Sequence, residues 1–72
     1  RPMVEVETVS DYSVLGTLYS LVESFGEKTD EVYGDDGTVT LRLQVEVSRV
    51  EGLSVAVRDA TNGKVEVRRV EC

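Results

Sequence analysis

Val39-Thr40-Leu41-Arg42-Leu43-Gln44-Val45-Glu46-Val47 is the stretch that decides the fold. Apolar residues at 39, 41, 43, 45 and 47 alternate without error with polar ones at 40, 42, 44 and 46. Successive side chains of a strand point to opposite faces, so this segment is a strand with one dry and one wet face. A slip of one residue would turn every aliphatic into water, which pins the register. The strand is expected at the centre of an antiparallel sheet, with helices on its apolar side.

Working outward, residues 3–9 read as a first strand, with Val4 and Val6 facing one way and Glu5 and Glu7 the other. Ser10-Asp11 then offers a helix N-cap and a first-turn acid. Val14, Leu18, Leu21, Val22 and Phe25 fall at helical spacing, widened by Leu15, which predicts a helix over 11–25. Gly26 sits where a left-handed residue would close it, and Gly16 inside it suggests close packing on a neighbouring backbone. Residues 29–33 form a short, charged strand of the kind that protects a sheet edge. Gly34-Asp35-Asp36-Gly37 is a tight-turn signal joining it to the central strand.

Beyond that strand, Ser48-Arg49-Val50-Glu51 matches a capping box. The helix it opens puts Val50, Leu53, Val57 and Ala60 on one face, with Ala56 beside them, and ends at Asn62-Gly63. Gly52 and the β-branched residues make that helix dependent on packing. Residues 64–71 supply the last strand, Val65 and Val67 inward, Glu66 and Arg68 outward. The order βαββαβ, with right-handed crossovers, predicts an α+β ferredoxin-like sandwich. Its four-stranded antiparallel sheet has the strand order 4-1-3-2, counted along the chain, and two helices on one face.

Seventy-two residues make a single domain, 1–72, and a chain opening Arg1-Pro2 rather than with Met is expected to be the C-terminal part of something longer. At 40% hydrophobic and 31% charged it is a globular composition. The net charge of -6 argues against phosphate-backbone binding. No apolar run approaches the roughly 20 residues of a membrane span and no signal peptide is visible, so a cytoplasmic location is expected. Cys72 is the only cysteine and there is no histidine, which supports neither a zinc site nor a Cys–His dyad.

The same fold hosts many functions, so each is tested at its residues. An RNA-recognition sheet stacks bases on rings. The outward positions here, Thr40, Arg42, Gln44, Glu46, Glu5 and Glu7, carry none. Paired metal-carrier cysteines are missing after the first strand, and Val9-Ser10-Asp11-Tyr12 is no phosphate loop. Asp35 and Asp36 suit turn chemistry better than calcium, which needs more oxygen ligands than a four-residue hairpin offers. Ser10, Ser13 and Ser48 have capping explanations. The chain is therefore read as non-catalytic, without cofactor or metal.

Several positions together resemble the C-terminal domain of the Impact/YigZ family. They are Asp11-Tyr12, Leu15-Gly16 and Leu18, Tyr33 opening the hairpin, the alternation Val39, Leu41, Leu43, Val45, and Asp59-Ala60-Thr61 with Gly63. The turn Gly34-Asp35-Asp36-Gly37-Thr38 is longer than the resemblance leads one to expect. The resemblance implies a ferredoxin-like domain similar to the fifth domain of elongation factor G. It implies a preceding domain like that factor's fourth, a loose connection with translation regulation, and no catalytic residue. An interaction module docking on its own N-terminal domain or another protein is thus expected. The alternative is an ACT-like regulatory domain binding an amino acid at the first strand–helix loop, although Ser13-Val14 stands where Pro-Gly is usual. The expected interface residues are Tyr12 and Tyr33, which lie outside the apolar stripes, and Arg42, Glu46 and Arg68 on the outward sheet face.

Overall fold

The computed structural model describes residues 2–70. Its elements are β1 (Met3–Asp11), α1 (Leu15–Phe25), β2 (Gly26–Tyr33), β3 (Thr38–Glu46), a 3-10 turn (Val47–Arg49), α2 (Val50–Thr61) and β4 (Val67–Arg69). The sheet order is β2-β3-β1-β4, every neighbour antiparallel, which is the predicted 4-1-3-2 read from the other edge. Both helices cover one face, giving the ferredoxin-like sandwich. The core joins Val6, Val39, Leu41, Leu43 and Val45 of the sheet to Leu18 and Val22 of α1, Leu53 and Val57 of α2, and Val65.

The alternation holds for Val39, Leu41, Leu43 and Val45, all fully buried, and fails at Val47, which is 38% exposed. The reason is the partner strand. β1 begins at Met3, opposite Glu46, so β3 has no neighbour beyond it. The Val47 N–H still donates to the Pro2 carbonyl at 3.2 Å, but proline has no N–H to continue the ladder.

At its other end β3 runs down to Thr38, and this draws β1 past residue 9 to Asp11. Thr8 and Ser10 continue its inward face, buried although polar. Ser10 is therefore a strand residue and no N-cap, and Asp11 ends the strand instead of standing in the first turn of the helix. Its carboxylate accepts from the Ser13 N–H (2.9 Å) and hydroxyl (2.5 Å), which holds its pKa below the ordinary value and shapes the turn. α1 starts four residues later than expected, at Leu15, with no side-chain cap.

Two glycines also correct the reading. Gly26 is extended rather than left-handed and is the first residue of β2. A Cβ there would collide with the Gln44 carbonyl oxygen and stand 2.9 Å from Val45 Cγ2, so the residue serves a close strand approach. Gly16, expected at a close contact, faces open space. β2 is consequently longer than 29–33, with a bulge between Lys28 and Asp30. Its Thr29 hydroxyl donates to the Arg42 carbonyl at 3.2 Å.

The capping box does not form, because Ser48 lies in the 3-10 turn and Arg49 holds the N-cap place with no side-chain bond. α2 buries Leu53, Val57 and Thr61, whereas Ala60 is exposed. Thr61 wins the inward place because its hydroxyl is doubly used: it donates to the Val57 carbonyl (2.8 Å) and accepts from the Val65 N–H (3.2 Å). Asn62 (φ 55°) and Gly63 (φ 81°) end the helix in the left-handed region, as the sequence indicates. With the Val65 N–H turned toward Thr61, β4 pairs only over Val67–Arg69, shorter than 64–71. The expected end of that strand at Glu71, like Cys72, lies outside the described residues.

Candidate interaction site

β2 is an edge strand, and its helix-facing positions pair with Leu43, Leu41 and Val39 of β3. Aliphatics would be expected there, yet the residues are Lys28, Glu31 and Tyr33. They lie at the sheet margin beside α1, which contributes Tyr19. The Glu31 carboxylate gathers this corner: it accepts from the Tyr19 and Tyr33 hydroxyls and pairs with Lys28 Nζ at 2.6 Å. Lys28 Nζ also sits 5.3 Å over the Tyr19 ring.

These contacts set the titration behaviour. The Lys28 ammonium, then the two phenols, hold Glu31 down at about 2. The bond to Glu31 pushes Tyr33 well up, and Tyr19 and Lys28 are raised for the same reason. An anchored carboxylate of this kind positions its neighbours and does not serve as a base near neutrality.

The Tyr33 ring, fixed by its hydroxyl, stacks on Tyr12 from the turn after β1, with centroids 6.3 Å apart and planes 12° from parallel. Both rings remain open to solvent, Tyr12 at 59% and Tyr33 at 55%. The strand directions explain the meeting, since β1 and β2 finish at the same end of the sheet on either side of Thr38 and Val39.

Arg42 and Arg68 lie on the outer face, together but away from the tyrosines. Both converge on Glu7 of β1: Arg68 Nη2 stands 3.2 Å from Glu7 Oε1, and Arg42 Nε 3.7 Å from Oε2. Glu46 sits at the far end of β3, opposite Met3. So the five expected residues divide into an aromatic corner, a charged row across the sheet, and Glu46 apart. Sequence reading missed Tyr19, Lys28 and Glu31. A two-residue period places Lys28 and Glu31 on opposite faces, and only the bulge between Lys28 and Asp30 brings them to the same one. Glu7 opposite Arg42 was readable once the register of β1 against β3 was fixed.

In the hairpin turn, Asp36 accepts from the Thr38 N–H (3.2 Å) and hydroxyl (2.7 Å), the turn role expected of it. A shallow, open depression on the outer face is lined by Val9, Gly63, Lys64, Glu66 and Arg68. Among the described residues no helix is long and apolar enough to cross a membrane.

No curated protein matches this chain. A solved structure described as "Crystal structure of an hypothetical protein" superposes with a TM-score of 0.85 at 21% sequence identity. The match covers 97% of this chain and 34% of that one, so the chain spans about a third of the length of that relative. At this identity the likeness shows the fold. The family model described as "Domain of unknown function (DUF1949)" matches residues 9–64, most of the sheet and both helices. The chain belongs to this DUF1949 family.

Proposed function

We propose that this is a non-catalytic docking module of the Impact/YigZ type, which holds a neighbouring domain of a longer chain against the Tyr12–Tyr33 corner. The observation that carries the reading is the stacked, exposed tyrosine pair locked through Glu31. A side chain that is already ordered loses less freedom on binding, and tyrosine supplies apolar area together with a hydroxyl. The match over a third of a longer chain supports a place beside another domain. A role linked to translation regulation in the cytoplasm goes with this reading. The ACT-like alternative has less support at its own loop, because Asp11 already occupies the Ser13 N–H and hydroxyl there.

The test compares amide exchange in these 72 residues, alone and within a longer chain of the family that carries them. Added protection is expected around Tyr12 and Tyr33, and Tyr12→Ala with Tyr33→Ala should abolish it. Equal exchange at both tyrosines in the two chains would overturn the proposal. A thermal shift of the domain with free amino acids would instead favour the ACT-like reading.

A further inference from the structure

The outer sheet face carries a pattern that the aromatic corner does not use. In register, Asp30 of β2 lies beside Arg42 of β3, Arg42 beside Glu7 of β1, and Glu7 beside Arg68 of β4. The four strands thus present one row of charge, minus, plus, minus, plus. Read backwards the same row is plus, minus, plus, minus. A row with this property is complementary to itself under a two-fold rotation.

We propose that two copies of this domain pair face to face through their outer sheet surfaces. The two-fold axis runs parallel to the strands between β3 and β1. Each Asp30 then meets Arg68 of the second copy, and each Arg42 meets its Glu7. An interface of this kind is isologous, the same patch serving both sides.

The neighbouring rows agree. Val32, Thr40 and Val9 form the next row, and Val32 and Val9 are among the exposed large aliphatics. One residue beyond Val67 the ladder brings Glu66 opposite Val9, where it lines a shallow depression with Val9, Gly63, Lys64 and Arg68. Rotation sets Val32 of the second copy over this depression. On the other side come Glu27, Gln44 and Glu5, with Val70, whose N–H donates to the Glu5 carbonyl at 2.9 Å. There Glu5 meets Gln44, and Glu27 meets Val70. No carboxylate faces a carboxylate, although the whole chain carries a net charge of -6.

Four strands about 4.8 Å apart give each copy a face on the order of 500 Å², and the dimer about 1,000 Å² in total. That is the low end for specific association, so the dimer is weak and reversible, and like-charge contacts suffice to break it. This face lies apart from Tyr12 and Tyr33, so the proposal stands independently of the docking reading.

The test is a charge-swap pair followed by sedimentation velocity from about 10 μM to about 1 mM, the range in which weak association titrates. Asp30→Arg alone places arginine against Arg68 of its twin, and Arg68→Asp alone places acid against Asp30. Each is expected to weaken self-association at least about tenfold. Mixed in equal amounts, the two variants oppose every charge with its opposite, and a heterodimer at least as tight as the unsubstituted dimer is expected. Both changes are at exposed side chains, and circular dichroism verifies the fold of each. An unsubstituted chain monomeric throughout would overturn the proposal. So would a dimer indifferent to both swaps, or single variants that fail to recombine.

Discussion

The Tyr19 hydroxyl, in the middle of α1, donates a hydrogen bond to the Glu31 carboxylate on β2. This bond spans 12 residues of chain and ties the first helix to the sheet edge at a place where aliphatic packing has run out. Lys28 and Tyr33 bond the same carboxylate, so four side chains share one anchored charge. A charge that accepts this many hydrogen bonds is stabilised in its ionised form.

The stability of the domain should therefore depend on acid through Glu31. Its folded pKa is about 2 against an ordinary 4.5. A depressed carboxyl contributes stability that is present above the unfolded value and lost as pH falls through the folded one. Urea melts of the unsubstituted chain and Glu31→Gln should differ fully above pH 4.5 and converge toward pH 2. Tyr33 and Lys28 are raised from 10.0 and 10.5, so their contribution runs the other way: it holds below those values and is lost at higher pH. A gap between the two chains that stays constant from pH 6 down to about 2 would contradict the assignment.

The glycines give a pair of opposite outcomes. Gly16 lies near the start of α1 with nothing within 4 Å of a built Cβ, and its φ is not positive. Gly16→Ala is expected to stabilise by about 0.5 kcal/mol, through helix propensity and a less free unfolded chain. Gly26→Ala forces a methyl against the Gln44 carbonyl, so β2 must move away from β3, at a cost of about 2 kcal/mol or more. Thermal melts of the two variants on opposite sides of the parent would bear this out.

The fold was legible because the deciding signals are long and periodic. Four fully buried aliphatics of β3 fix the sheet's inner face, and the α1 stripe ending at Phe25 follows from spacing. In α2 spacing gives Leu53 and Val57 but puts Ala60 where Thr61 is buried. The element ends were less legible because tertiary partners set them. Ser10 pairs with Val39 instead of capping, Asp11 pairs with Thr38 instead of entering a first helical turn, and Ser48 is taken into a 3-10 turn. Of the candidate site, the exposed tyrosines and outward arginines could be named from the sequence. Their organiser could not: Glu31 reads as one more charge on an edge strand until the bulge turns it toward Tyr19.

Register carries its own test at adjacent residues. Leu43 is fully buried among the aliphatics of both helices and the sheet. Leu43→Asp would set an uncompensated carboxylate there, and a domain this small has roughly 5 kcal/mol to lose. It is expected to be unfolded by circular dichroism at neutral pH. Arg42→Ala removes a 42% exposed side chain whose Nε stands 3.7 Å from Glu7 and should cost under about 1 kcal/mol. Two equally folded variants would contradict the inward and outward assignments of β3.

Thr61 offers the sharpest single-atom prediction. Its hydroxyl is buried, donates to the Val57 carbonyl and accepts from the Val65 N–H, joining the end of α2 to the approach to β4. Thr61→Val keeps the shape but leaves that N–H without its acceptor, which costs about 1–3 kcal/mol. Thr61→Ser keeps the acceptor and loses one methyl, at about 1 kcal/mol. Serine should therefore be the milder change, although valine is the closer match in volume and the more apolar. Amide exchange gives the local readout: the Val65 N–H should lose protection in Thr61→Val and keep it in Thr61→Ser. If valine proved the more stable of the two, Thr61 would be a packing residue and its hydroxyl would not be what holds β4 in place.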